Sequence, residues 1–168
     1  MSVTTLRYAD TGAFSSLLTA YLARHEALTP FYHRFPTLDE FAAQIEEKKA
    51  HYTPEARQRL VAALREQYAT LPEVYEQVQA NLDLLAKDTT FTVTTGHQLN
   101  LLTGPLYFVY KIVTAIKLSR QLKEQYPQYD FVPMYWMATE DHDFAEINHL
   151  HLFGKKYEWN SAEQGADQ

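Results

Sequence analysis

The chain contains no cysteine. That absence excludes disulfides, cysteine-ligated zinc and a thiol nucleophile supplied by the protein itself. A basic excess is missing too: the formal net charge is −6 and the pI about 5.6. Proteins that track nucleic-acid phosphates carry a basic face, so no nucleic-acid partner is expected. Small anionic ligands stay open, because a helix N-terminus binds them even on an acidic protein. No run of about 18 apolar residues occurs, so no membrane span is expected. The opening MSVTTLRYADTGAF lacks the basic-then-apolar pattern of a secretory signal. A cytoplasmic location is therefore the expectation. The Gly-rich dinucleotide fingerprint, the Walker loop, internal repeats and low-complexity tracts are absent as well.

What is present is enough apolar material for a core: 46% hydrophobic residues in 168, the size of one domain or of one domain with an appendage. Residues 1–87 read as a helical segment. Phe14, Leu17, Leu18, Tyr21 and Leu22 recur at helical spacing, and two prolines in TPFYHRFPT interrupt the pattern. Thr37 and Glu40 form a capping-box pattern ahead of a helix with Phe41 and Ile45 on its apolar side. Thr53-Pro54 is a cap followed by a first-turn proline. Thr70 and Glu73 make a second box, leading to a stripe of Val74, Val78, Leu82 and Leu85.

From residue 88 to 168 the character changes. FTVTT reads as a strand. From Pro105 runs a long helix, apolar nearly all round in its first half, with Lys117, Arg120, Lys123 and Glu124 solvated in its second. That pattern predicts burial of the first half. FVPMYWMA, a continuous apolar run, predicts a strand buried on both faces, with Pro133 at its entry. Strand, helix and strand make a βαβ unit, hence a parallel sheet. A short helix in EDHDFAEINH follows. LHLFGKKYEWN reads as a hairpin turning at Gly154-Lys155-Lys156, with Leu150, Leu152, Tyr157 and Trp159 in its arms. Two parallel strands are few for a doubly wound sheet, which is completed by a partner or by more chain.

Ligands of open α/β sheets bind outside the carboxyl ends of the strands, and two polar segments fall there. In TGHQLNLLTGP, Gly96 permits a tight turn or close backbone approach. Gly104-Pro105 opens a helix whose free N–H groups favour an anion. His97, Gln98 and Asn100 offer further donors. Ordinary loop chemistry explains the same residues, with Thr103 as N-cap, Asn100 as a turn residue and His97 half exposed. In TEDHD, Glu140, Asp141 and Asp143 flank His142. This group suits a ligand amine or ribose hydroxyls, a divalent metal or acid–base work, or simply an acidic helix N-terminus. Lys111, two turns into the long helix, either snorkels or reaches a phosphate. His149 and His151 share one strand face without a third metal ligand at a diagnostic spacing.

The runs TTGHQLNLLTGPLYFVYKIVTAIKLSRQL and FVPMYWMATEDHDFAEINH resemble the bacillithiol-biosynthesis cysteine ligase family. The carrying motifs are T-G-[QH]-Q, L-L-T-G-P-L-Y and W-M-A-x-E-D-H-D-F-x-E-I-N-H, and FYHRFPTLDEF resembles the family's helical leader. The likeness covers essentially all 168 residues. It implies an α/β fold, a Rossmann-like parallel core akin to class I aminoacyl-tRNA synthetases, incomplete here and preceded by the helical segment. It implies L-cysteine and glucosaminyl malate as substrates, joined through an amide, with ATP as co-substrate through a cysteinyl adenylate, no metal held by the protein, and homodimers formed through a C-terminal coiled coil.

By the same resemblance, Thr95, Gly96, His97 and Gln98 stand where synthetase-like folds stabilise phosphate charge, with Asn100, Gly104, Tyr107 and Lys111 beyond them. Glu140, Asp141, His142 and Asp143 line the opposite wall. Relatives carrying Gln at the position of His97 imply binding rather than proton transfer there. Family members are several times longer, so the expectation is a truncated chain, inactive alone. Two other readings are an anion- or nucleotide-binding fragment without chemistry, and a metal-dependent hydrolase using Asp141, His142 and His149.

Overall fold

The structure is a computed structural model describing residues 4–100, 102, 104–141 and 143–160. Its contacts divide the chain into two units, Met1–Glu46 and Glu47–Gln168. In the first lie short helices α1 (Tyr8–Thr11) and α2 (Ser16–Leu22), then 3-10 turns at Glu26–Phe31 and Leu38–Glu40. Ser15 caps α2, its hydroxyl accepting from the Leu18 N–H. Tyr21, Tyr32 and Phe35 pack ring against ring at 5.1–6.2 Å, with the Arg24 guanidinium 4.3 Å from the Phe35 centroid. Helix α3 (Phe41–His51) begins in this unit. The expected Thr37–Glu40 capping box does not form. The Glu40 N–H bonds the Thr37 carbonyl instead, closing a 3-10 turn, and the Thr37 side chain makes no capping bond.

The second unit starts as the sequence predicts. Thr53 caps α4 (Pro54–Ala69), its hydroxyl accepting from the Ala56 N–H, and Pro54 sits in the first turn. The second box is not formed either. Thr70 closes α4, donating its hydroxyl to the Gln67 carbonyl, and α5 (Glu76–Leu85) begins only after Tyr75. A hydroxyl finds an orphan carbonyl at the end of the preceding helix more readily than an N–H in a helix not yet begun. The α5 stripe does bury: Leu82 and Leu85 join Val61 of α4, with Leu64, Tyr68 and Val78 packed around them. The helical segment read as 1–87 is thus divided, and α4 and α5 pack with the residues that follow.

Those residues are β1 (Thr90–His97), α6 (Leu106–Gln125) and β2 (Asp130–Met137). The strands pair in parallel, from Thr90 opposite Asp130 to His97 opposite Met137. Side chains alternate across the pair. Val132 and Met134 join the α4–α5 core, while Tyr135 meets Phe108 of α6 edge-on, with ring centroids 5.5 Å apart. Helix α6 packs on both strands and buries Ala115, Ser119 and Leu122. The result is an α/β layering with a two-stranded, incomplete Rossmann-like sheet.

Two burial expectations are reversed. The apolar first half of α6 is largely exposed, with Leu106 at 68% and Tyr110 at 63%, and its buried residues, Ala115, Ser119 and Leu122, begin only at its midpoint. Two strands fully cover just the Ala115–Ser119–Leu122 stripe and reach Phe108 through Tyr135. For the same reason β2 is not buried on both faces: only Val132 is buried, and Trp136 is 60% exposed. Pro133 sits mid-strand opposite Val93 rather than at the entry, tolerated because β2 is an edge strand. Lys123, expected to be solvated, is engaged. It pairs with Asp130 at 2.9 Å and donates to the carbonyls of Pro127 and Tyr129, closing the turn from α6 into β2.

After β2 come α7 (Phe144–Ile147) and the hairpin β3 (His149–Leu152) and β4 (Lys155–Glu158). Its turn is Phe153-Gly154, with φ of 51° and 74°, as a two-residue type I′ turn requires. Lys155 and Lys156, read as turn residues, belong to β4. No helix among the described residues is long and apolar enough to cross a membrane.

One buried cation ties the second unit together. Arg57 of α4 is 8% exposed, and its Nη1 donates to the carbonyls of Leu85 and Thr90, each at 3.0 Å. Its guanidinium lies 5.0 Å from the Tyr52 ring. The Leu85 carbonyl is the last of α5, at the negative end of that helix. Arg57→Met is expected to lower the unfolding free energy by about 3 kcal/mol, since two buried carbonyls lose a charged donor; the urea midpoint measures it. At the other end of β1, a Cβ on Gly96 would stand 2.7 Å from the Trp136 carbonyl oxygen and 2.9 Å from its Cβ. Gly96→Ala therefore forces the strands apart and is expected to cost about 2 kcal/mol in the same assay.

Candidate functional site

Because β1 and β2 run in parallel and end in register at His97 and Met137, the loops that follow them share one rim. A cleft of about 560 Å³ opens there. Thr94, Thr95, Gly96, His97 and Gln98 form its first wall, joined by Lys111 from the second turn of α6. Trp136, Ala138, Glu140, Asp141 and Glu146 form the other. The cleft thus gathers seven of the residues expected from the sequence. Asn100, Gly104 and Tyr107 stand behind its first wall without lining it. Asp143 is exposed off the cleft as the N-cap residue of α7, and its side chain makes no capping bond. His142 and Thr103 lie outside the described residues.

The first wall is held by side-chain bonds within the loop. The His97 ring has its Nδ1 at 3.0 Å from the Gln98 carbonyl and 2.9 Å from the Asn100 amide nitrogen, and its Nε2 at 2.6 Å from the Tyr107 hydroxyl. Both ring nitrogens therefore face protein groups, and the imidazole brackets the loop to the first turn of α6. The Asn100 amide also donates to the Gln98 carbonyl at 2.9 Å. Gly104 is required where Asn100 seats: its φ is 57°, and a Cβ there would stand 2.7–2.8 Å from the Asn100 side chain. Lys111 donates its ammonium to the Gly96 carbonyl. The Tyr135 hydroxyl donates to the His97 carbonyl at 3.1 Å. Burial pushes this phenol above its ordinary pKa and keeps it a donor.

Gln98 is the most deeply placed of the wall residues, at 2% exposure. Its Nε2 donates to Glu146 Oε2 at 2.9 Å, a bond between residues 48 apart in the chain that ties the two rim loops together. Its Oε1 and the Asn100 Oδ1 are buried without a partner among the described residues. A buried acceptor left this way costs about 1–3 kcal/mol. On the facing wall the Trp136 indole donates to Glu140 at 3.3 Å and positions that carboxylate. The walls carry three carboxylates, Glu140, Asp141 and Glu146, against the single ammonium of Lys111.

Sequence reading missed Glu146 and Trp136. Glu146 lies six residues after Glu140 in the same acidic run, and only the one-turn helix α7 folds it back toward Gln98. Trp136 read as a core residue of a buried strand. His149 and His151 do share one strand, their rings 5.6 Å apart, but neither lines the cleft. Among the described residues no group of three or more His, Asp or Glu is placed to hold a metal ion.

Comparison with known proteins agrees with this architecture. The family model described as "Bacillithiol biosynthesis BshC, N-terminal Rossmann-like domain" matches residues 1–168. A protein of Christiangramia forsetii named "Putative cysteine ligase BshC" is 51% identical over 166 residues, covering 99% of this chain and 31% of its own length. Proteins of the same name are 51% identical in Flavobacterium psychrophilum, over 96% of this chain and 30% of theirs, and 34% identical in Staphylococcus carnosus, over 79% and 24%. The chain spans about 30% of the length of the first two of these relatives. With a family model matched from end to end and half its residues shared with such relatives, the chain belongs to the BshC family of bacillithiol biosynthesis, to which it contributes the N-terminal Rossmann-like domain.

Proposed function

We propose that this chain is the N-terminal, substrate-holding part of a ligase that forms an amide between L-cysteine and glucosaminyl malate, and that the cleft at the β1–β2 rim is where the substrates meet. The observation that supports this most directly is the convergence of the two post-strand loops on one cleft, at the sheet edge where α/β folds bind ligands. Making an amide in water requires an activated carboxyl group. The proposal includes ATP for that role: the cysteine carboxylate attacks the α-phosphorus and releases pyrophosphate. The amine then attacks the acyl carbon, AMP leaves, and the nitrogen gives up a proton. Thr95 and Lys111 supply the donors suited to anionic oxygen, and Glu140 and Asp141 the acceptors suited to amine and hydroxyl groups. His97 serves as a bracket and binding group rather than a proton carrier, in keeping with a ring whose two nitrogens already face protein partners.

On this reading the complete open reading frame that carries this chain restores bacillithiol to a bacillithiol-producing strain deleted for its own cysteine ligase, with accumulated glucosaminyl malate consumed. The 168-residue chain alone is proposed to be inactive and to restore none. Thiol labelling followed by mass spectrometry measures both pools, and a complete gene that leaves the thiol absent refutes the assignment. With purified full-length protein, AMP and pyrophosphate are expected to appear in step with the amide. ADP in their place replaces the adenylate with an acyl phosphate, and amide without nucleotide consumption removes ATP from the scheme.

A further inference from the structure

One residue that lines the cleft carries an unsatisfied buried group. A carboxylate only accepts hydrogen bonds, so the bond from Gln98 to Glu146 fixes which end of the Gln98 amide faces Glu146: the NH₂ end, at 2.9 Å. The carbonyl end, Oε1, is thereby turned away as an acceptor, and it is buried with no partner among the described residues. Gln98 lines the cleft at 2% exposure, together with three carboxylates and one ammonium, and that ammonium is already donated to the Gly96 carbonyl. An unpartnered buried acceptor in a cleft with an excess of negative charge calls for a ligand group with several N–H donors and a positive charge.

We infer that Gln98 Oε1 is the seat of a ligand's primary ammonium, with Glu146 as the residue that positions it. Glu146 acts in two ways. It holds the Gln98 amide in the acceptor-forward orientation, and it places a carboxylate next to the cation. Hydroxyl ligands would satisfy Oε1 but bring no positive charge to balance the three carboxylates. Phosphate would be repelled by them, which directs anionic groups to the Thr95–Lys111 side. Two sources offer the ammonium, the α-amino group of cysteine and the amino group of the aminosugar. The inference rests on the ligase reading only for this choice of probes.

The test is binding calorimetry on the full-length protein, wild type and Glu146→Gln, with two matched pairs: L-cysteine against 3-mercaptopropionate, and glucosaminyl malate against its N-acetylated form. Wild type is expected to prefer the free amine in at least one pair. Glu146→Gln is expected to reduce that preference roughly tenfold, the equivalent of one charged hydrogen bond, while leaving the amine-free analogue within about twofold. The pair that responds identifies the source. A merely structural role for Glu146 weakens both members of a pair alike and leaves the preference standing, which overturns the inference, as does a wild type without any preference. Gln98→Met, which removes the acceptor at similar volume, is the second variant should Glu146→Gln fail to fold, and the same loss of preference is expected of it. Amide synthesis is followed in parallel. A preference that responds to the variants in a protein that makes no amide keeps the ammonium seat and removes the ligase assignment. Amide synthesis with a preference indifferent to both variants does the reverse.

Discussion

The parallel pairing of β1 with β2 is the constraint on which the rest depends. It brings two loops that are more than thirty residues apart in the chain to one edge, and it is anchored at both ends. At its start the buried Arg57 gathers the carbonyls of Leu85 and Thr90. At its finish the bare Cα of Gly96 lets the Trp136 backbone approach. Neither anchor is an apolar contact. The hydrophobic core of Val61, Leu82, Leu85 and Val132 sits to one side of the sheet and supplies adhesion without setting register. The cation and the glycine supply position.

From that pairing the cleft follows with little further cost in ordered backbone. The first wall is a self-bonded loop in which His97, Asn100 and the Gln98 carbonyl satisfy one another, pinned to α6 through Tyr107 and Lys111. The second wall depends on one-turn helix α7 and on the bond between Gln98 and Glu146. A site built in this way is stiff where backbone carbonyls are bound and open where carboxylates face solvent.

The exposed apolar half of α6 and the exposed Trp136 belong to the same picture. A helix rich in Leu, Tyr, Val and Phe presents surface suited to burial, yet a two-stranded sheet is too narrow to cover it. The family relatives are more than three times as long as the matched region.

Local chemistry, legible in the order of the residues, determined the element types: the β-branched run that became β1, the Thr53-Pro54 start of α4, the long helix after Pro105, and the two polar segments at the strand ends. The motifs around Gly96 and Glu140 were enough to indicate the family. Tertiary structure decided what no window of neighbouring residues contains. Thr37 and Thr70 matched a capping pattern, but the Glu40 N–H went to the Thr37 backbone carbonyl and the Thr70 hydroxyl to the Gln67 carbonyl. The apolar half of α6 was exposed because burial depends on the width of the sheet, not on the helix. His97 read as a ligand donor or a half-exposed loop residue, and only the fold brought Tyr107 and Asn100 to its ring. Glu146 was invisible as a partner of Gln98 because a hydrogen bond is set by distance in space, and 48 residues of chain had to fold back before the two amino acids met.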